Sequence, residues 1–367
     1  MTTTVPDPTA CTRYQYRPLR FANSVRILQL TPSIIEDDPI QCTLTEHPLS
    51  DPTLRFEPLS YTWGDDADVV QIYVGDDRAP LPVTRNCSDT LRSLRLPDKG
   101  RPLWIDAVCI DQANVAERSA QVRIMDQLYA RGFRTVIYLG EATPGSEMLF
   151  GEPEEADLDL EGIRSRPALS PALVPQVEAL IARPWFRRVW VLQEVFVNES
   201  RLVMCGRRRA SWRALESALH GFRVSRVTEA SIPAAFISRS WWFDSGCVWL
   251  NLLSMLDLTR ANLASEPRDR IFALKALLGR RQNELNPLID YGRGLVDILM
   301  EAATRILESV GVVLLSAIRS PHNRAMPSWI PDWTQVDHPV FTRNLNIDID
   351  EEELETAPLG SHKRKYG

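Results

Sequence analysis

Residues 103–140 read "LWIDAVCIDQANVAERSAQVRIMDQLYARGFRTVIYLG". The apolar opening, with Asp106 and Asp111 at its end, suits a buried strand whose carboxyl tip carries polar groups. Asn114 and Glu117 then stand at the spacing of a capping box. The helix they would start carries Val115, Val122, Met125 and Tyr129 at helical intervals and ends near Gly132. "RTVIYLGEA" (134–142) reads as a second buried strand, stopped by glycine. Strand, helix, strand in this order predicts an α/β fold: a parallel sheet with helices on its faces. In such sheets ligands sit beyond the carboxyl ends of the strands, where these aspartates fall.

Towards the N-terminus, "SVRILQLTPS" (24–33) and "IQCTLTEHPL" (40–49) read as a pair of extra strands. "PLSYTWGDD" (58–66) is a short aromatic run ended by turn residues, so Asp65 and Asp66 also lie at a strand end. "VVQIYVGDDRAPLPVT" (69–84) alternates about a Gly-Asp-Asp turn and predicts a hairpin. "SDTLRSLRL" (88–96) predicts a short helix with Leu91 and Leu94 inward. Beyond the core unit, 141–170 is rich in Gly, Pro and acid and reads as a surface insertion. "ALVPQVEALIA" (172–182) is helical in pattern, and after 201–221 the character turns mainly helical. The expected organisation is a loose N-terminus over 1–20, an α/β domain over 21–205, a mainly helical region over 206–340, and a disordered charged tail over 341–367.

The 367 residues are 44% hydrophobic and 25% charged, an ordinary globular balance. A net charge of −6 gives no field that would favour nucleic acid or an anionic membrane. The longest apolar cluster, "CVWLNLLSMLDL" (247–258), is too short to span a bilayer, and no secretory signal opens the chain. The six cysteines form no CxxC or CxxH pair, which points to buried free thiols in a reducing, cytoplasmic setting and to no metal site. GxxxxGK[ST], GxGxxG and GxSxG are all absent. Cys109 could be a nucleophile paired with a remote histidine, but inside an apolar run it reads first as a small buried side chain. "CGRRRASWR" (205–213) could touch phosphates or be a solvated turn.

One stretch places a carboxylate in apolar company: "PWFRRVWVLQEVFV" (184–197). Projected as one helix at about 100° per residue, Trp185, Val189, Leu192 and Phe196 gather on a core stripe. Glu194 falls opposite, flanked by Arg187 and Trp190. It would face outward beside an indole that walls a cleft, or it would be a solvated acid near Arg187 or Arg188. A strand is also open, because "VWVLQEVFV" is rich in β-formers.

Taken together these motifs resemble the fungal heterokaryon-incompatibility (HET) domain family. The resemblance rests on "PLSYTWGDD", on "VTRNCSDTLRSLR" (83–95) with 103–140, and on Arg188, Trp190, Gln193 and Glu194. "EPRDRIFALKALLG" (266–279) and "MPSWIPDW" (326–333) follow in the family's order, so the likeness covers about 55 to 335. Val108 and Asp111 stand where isoleucine and asparagine are expected. More distantly the chain is similar to Toll/interleukin-receptor (TIR) domains, with 58–66 and 103–111 as their first two strands. "WFRRVWVLQEV" matches the TIR segment whose glutamate cleaves NAD.

The resemblance implies a TIR-like, flavodoxin-like sheet and a role in non-self recognition that ends in programmed cell death. It implies Glu194 as the catalytic residue of an NAD glycohydrolase, with NAD as substrate and no cofactor. Tyr61, Trp63, Gly64, Asp65, Asp106, Asp111, Arg188, Trp190 and Gln193 would then bind the substrate. Self-association and an incompatibility partner protein are the implied partners. The competing reading is a non-enzymatic, self-associating signalling module in which Glu194 is structural. A third is an inactive or regulatory HET protein, since no NACHT-type ATPase or repeat sensor is visible after the HET region.

Overall fold

A computed structural model describes residues 13–21, 23–150, 173–225, 248–318 and 326–335. The tail over 341–367 and most of the acidic insertion, from 151 to 172, lie outside the described residues. The fold is α/β, a mixed central sheet flanked by helices.

In chain order the elements begin with β1 (Ser24–Leu30), β2 (Gln41–Pro48), β3 (Glu57–Ser60), β4 (Val69–Val74) and β5 (Ala79–Thr84). Next come α1 (Arg85–Leu94), β6 (Arg101–Trp104), α2 (Asp106–Cys109), α3 (Val115–Arg131), β7 (Thr135–Tyr138) and α4 (Pro144–Glu147). They are followed by α5 (Val174–Ile181), a 3-10 turn (Pro184–Arg187), α6 (Val191–Phe196), β8 (Arg201–Cys205) and β9 (Arg208–Ser211). The rest is helical: α7 (Trp212–Ser225), α8 (Val248–Leu258), α9 (Asp269–Phe272) and α10 (Leu295–Val310), with 3-10 segments between 275 and 317.

The sheet order is β5-β4-β2-β1-β6-β3-β7-β8-β9. The expected β1/β2 pair is antiparallel, from Ser24 opposite Pro48 to Leu30 opposite Cys42. The expected hairpin is β4/β5, and its turn places Gly75 at φ 79° and Arg78 at φ 53°. Glycine enters that left-handed region freely, whereas Arg78 does so at a cost. The centre of the sheet is parallel, with β3 between β6 and β7 and with β8 beyond β7. Among these four, the spatial order is second, first, third, fourth in the chain, so the winding reverses at β3.

Burial on both faces explains the apolar runs of the central strands. In β7 and β8, Val136, Tyr138, Leu202 and Met204 join the core shared with α1 and α3. Ile137, Val203 and Cys205 alternate into the other core, built with α5, α6 and the C-terminal helices. At the amino ends of β3 and β6 a buried triad ties the strands together. Arg101 Nε donates to Glu57 Oε2 at 2.6 Å and Arg134 Nε to Glu57 Oε1 at 2.5 Å. Burial opposes the Glu57 charge, yet the two guanidinium groups hold its carboxyl below the usual range.

Three sequence expectations are corrected. The run "RPLWIDAVCIDQ" is not one strand: β6 stops at Trp104, and Ala107 N–H donates to the Asp106 carboxylate at 2.8 Å as α2 begins. Asn114 does cap α3, accepting from Glu117 N–H at 3.1 Å, but Glu117 does not close the box. Its carboxylate is taken by the buried Arg26 and by Asp111 N–H. Val115, expected inward, is exposed at the first position of α3.

Residues 13–20, expected loose, have no regular secondary structure but are tied to the domain. Tyr14 N–H donates to Pro80 O at 3.0 Å, and Tyr16 Oη to Val108 O at 2.9 Å. The sheet also continues past 205, since β9 pairs with β8 in an antiparallel hairpin. "CGRRRAS" is the turn and return of that hairpin. Among the described residues no helix is long and apolar enough to cross a membrane.

The helical C-terminal region is joined to α3 by a buried ion pair. Lys275 Nζ lies 2.8 Å from Asp126 Oδ1, and the two side chains are 0% and 3% exposed. Lys275 also donates to Arg123 O. Removing one partner strands the other charge, which costs about 3–5 kcal/mol. Lys275→Met is therefore expected to lower stability by about that amount in urea denaturation. Lys275→Met with Asp126→Leu should recover most of it, and a double variant as unstable as the single one would contradict this.

Candidate functional site

At the carboxyl end of β3, Ser60 stands between Leu59 and Tyr61, which face the α1/α3 core. Strand alternation turns Ser60 to the opposite face, under α6. There its hydroxyl donates to Glu194 Oε2 and accepts from Trp185 Nε1 at 2.9 Å. Arg188 Nη2 lies 3.6 Å from Glu194 Oε1, and Arg188 Nη1 donates to Tyr61 O. Both carboxylate oxygens of Glu194 are thus engaged, and its side chain is 4% exposed.

The expectation of one helix over 184–197 is corrected by this arrangement. The 3-10 turn ends at Arg187, Arg188 is extended, and α6 starts only at Val191. Pro184 opens the turn as predicted, but residues 187–189 pair with Leu263 instead of continuing the helix. A projection over fourteen residues therefore fails to place Glu194. The carboxylate is neither solvated nor turned outward, because β3 covers the face opposite the apolar stripe. Trp185, Val189 and Leu192 are buried as expected.

Asp106, just past β6, completes the group. Trp63 Nε1 donates to Asp106 Oδ2 at 3.0 Å, and the Asp106 charge acts on both Arg188 and Glu194. Burial pushes the Glu194 carboxyl up to about 7, with Arg188 and the Ser60 hydroxyl pulling the other way. Burial likewise raises Asp106, against the pull of Arg188. Arg188 loses solvation as well, but Glu194 and Asp106 offset this and its pKa is raised. The result is one permanent cation shared by two carboxyls that burial discourages from ionising together.

The other candidates are placed as follows. The Tyr61 ring is buried in the α1/α3 core, and only its backbone oxygen meets Arg188. Gly64 has φ 86°, and a Cβ there would lie 2.9 Å from Asn86 Cγ, so the turn needs glycine on two counts. Asp65 is exposed and accepts from Ala67 N–H at 2.9 Å, a turn role outside the cluster. Asp111 similarly accepts from Ala113 N–H at 3.2 Å in the turn before α3. The Trp190 N–H is occupied by Asp269 at 2.9 Å. Gln193 is 1% exposed, and neither of its amide atoms has a hydrogen-bond partner among the described residues. Cys109 is fully buried and its thiol is pushed up to about 12, which removes it as a nucleophile. Among the described residues no three His, Cys, Asp or Glu side chains gather as a metal set.

Sequence reasoning missed Ser60 as the partner of Glu194, Trp185 as the donor to Ser60, and Asp269 as the partner of Trp190. Ser60 could have been found, since a serine alternating with Leu59 and Tyr61 must face the other side. Asp269 could not, because only the tertiary fold brings 269 to 190.

The matching family model, described as Heterokaryon incompatibility protein (HET), covers residues 56–194. Over that segment the chain is similar to the HET family. The HET segment runs from the start of β3 to Glu194 itself and so includes every residue of the cluster. A curated relative, Heterokaryon incompatibility protein 6, OR allele, of Neurospora crassa, is 29% identical over 54% of this chain and 35% of its own length. The chain thus spans about a third of that relative. No solved structure matches it.

The pKa of Glu194 makes a stability prediction. Its folded value of about 7 lies above the ordinary 4.5, so the folded chain binds this proton more tightly than the unfolded chain. Stability should fall as pH rises from 4.5 through about 7, by about 3 kcal/mol in total. Asp269, raised by burial to about 6, adds a slope of the same sign. Melting of the wild type between about pH 5 and about pH 8 should show this decline, and Glu194→Gln should show a clearly shallower one. Parallel curves would place the proton elsewhere.

Proposed function

We propose that this HET domain acts in fungal non-self recognition, and that it does so through TIR-like cleavage of the nicotinamide–ribose bond of NAD. The observation that carries the reading is the place of Glu194: a buried carboxylate at the carboxyl end of the strand where the winding of the parallel sheet reverses. That is where open α/β sheets bind ligands. The order second, first, third, fourth is also that of flavodoxin-like sheets, which supports the TIR-like assignment. The name of the Neurospora relative, a heterokaryon incompatibility protein, supports the recognition role.

The chemistry asks little of a proton donor. The C1′–N1 bond breaks, its electron pair leaves with neutral nicotinamide, and positive charge builds on the ribose. Water then adds at C1′ and loses a proton, giving ADP-ribose. Ionised Glu194 would stabilise the ribose charge or accept from its hydroxyls, and a well-placed group of this kind is worth roughly 3–4 kcal/mol. Arg188 would hold Glu194 ionised or meet the pyrophosphate, and Asp106 would accept from a ribose hydroxyl. The indole of Trp63, half-buried and fixed by Asp106, would wall the ring.

A specific observation favours the alternative, a self-associating module with a structural Glu194: both of its oxygens already have partners. Turnover separates the two. Purified protein, at concentrations that permit assembly, should release nicotinamide from NAD, with a rate that rises with pH through a midpoint of about 7 as Glu194 ionises. Glu194→Gln, which keeps the shape and the Ser60 contact, should lose this activity by about a hundredfold or more. Absence of turnover in the wild type, or equal turnover in the variant, would leave the structural reading.

A further inference from the structure

The segment matched by the HET family ends on Glu194, yet what holds this stretch of chain comes from well beyond it. α6 has six residues, too few to be stable alone, and its N-cap Trp190 supplies no side-chain cap. Glu194 N–H donates to Trp190 O at 3.1 Å, so the position of Trp190 sets the first turn of α6.

Residues 187–190 are gripped by the C-terminal region at three points. Leu263 N–H donates to Arg187 O at 2.5 Å, and Val189 N–H donates to Leu263 O at 3.0 Å. Asn262 Nδ2 donates to Arg188 O at 3.4 Å. The third point is a side chain: Asp269 Oδ2 accepts from Trp190 Nε1 at 2.9 Å. Its other oxygen accepts from Tyr291 Oη at 2.5 Å, so the carboxylate is bracketed on both sides. Tyr291 is fixed in turn, its N–H donating to Ser119 Oγ at 3.0 Å with the Arg118 guanidinium 4.1 Å over its ring. Tyr291 therefore ties Asp269 to α3.

We propose that Asp269 is a positioning residue of the Glu194 site, fixing the Trp190 indole and through it the turn of helix that presents the carboxylate. This rests on the reading of Glu194 as the group that acts on the ribose. The HET unit in this chain then extends to the segment around 260–291, and "EPRDRIF" is part of the site though it touches no substrate.

Asp269→Leu keeps roughly the size but removes both accepting oxygens, so neither Trp190 Nε1 nor Tyr291 Oη keeps its partner. Trp190→Phe removes the same bond from the other side while keeping an aromatic ring. In protein whose far-ultraviolet circular dichroism is unchanged, each variant is expected to lower kcat for NAD by ~10-fold or more, with KM within about twofold. The double variant should fall no further than the single ones. Full kcat in folded Asp269→Leu, or losses that simply add, would overturn the proposal.

A second readout needs no turnover. The stability difference between the wild type and Glu194→Gln, followed with pH, isolates the Glu194 titration. Repeated in the Trp190→Phe background, which leaves Asp269 in place, its midpoint should move by about half a pH unit or more if the carboxylate has shifted against Ser60 and Arg188. If the wild type cleaves no NAD, the enzymatic reading fails alone and this midpoint still decides. An unmoved midpoint would show that Asp269 does not position Glu194.

Discussion

Everything at the carboxyl edge of the sheet depends on how one desolvated carboxylate is compensated. Glu194 meets a single guanidinium at 3.6 Å and a single hydroxyl, in a place where Asp106 contributes a second negative charge. Ser60 can serve it only because β3 is a strand, with Leu59 and Tyr61 committed to the opposite core. Arg188 can serve it only because the chain leaves the 3-10 turn at Arg187 and is extended at Arg188 before α6 begins. A continuous helix would have swung the guanidinium about 100° per residue away from β3. The break in the helix is therefore the local price of bringing Arg188, Ser60 and Glu194 together, and the pairing with Leu263 offsets the lost helical hydrogen bonds.

How much of this was legible in the sequence follows from the range of each interaction. β1 with β2, the β4/β5 hairpin and α3 between β6 and β7 are set by alternation, turn residues and helical period, all read within about twenty residues. The strand "RPLWIDAVCIDQ" was overextended because Ala, Val and Cys suit either state, and the backbone there closes a helical turn, with Val108 and Cys109 N–H donating to Ile105 O. The 184–197 stretch failed for the same reason in reverse. Its apolar spacing fits a helix well, and the deciding partner, Leu263, is some seventy residues away. Of the candidate residues, Asp106, Arg188 and Glu194 do converge, with Trp63 attached through Asp106. Asp65 and Asp111 sit in turns beside the cluster, as their Gly-Asp-Asp and Asp-Gln-Ala settings equally allowed.

The C-terminal region is not a separate appendage to the HET segment. Lys275 with Asp126, Leu263 with 187–189, and Asp269 with Trp190 each join it to an element of the α/β unit through buried or half-buried polar contacts. Polar contacts of this kind are directional, so they fix geometry where apolar packing alone would tolerate a slide. The apolar core on that face agrees, running without interruption from Ile137 and Val203 through α6 to α8 and α10. A boundary drawn at 205 divides this core and also cuts β9 from β8.

The molecule offers its own control for what a purely structural glutamate looks like. Glu57, also buried, accepts from Arg101 and Arg134 at 2.6 and 2.5 Å, and two cations overcome its burial so that the carboxyl is held low. A residue whose task is to bridge strands gains from being ionised at every ordinary pH, and Glu57 is built that way. Glu194 has one cation, farther off, shared with Asp106, and its carboxyl is left at about 7. That arrangement is a poor way to stabilise a fold, since the same volume filled by an apolar or amide side chain would cost less above neutral pH. A carboxyl poised between its two states is, however, what a group needs if its charge must meet a developing positive charge on a substrate and not be fully neutralised beforehand. The contrast between Glu57 and Glu194 is the strongest physical reason to look for chemistry at the end of β3.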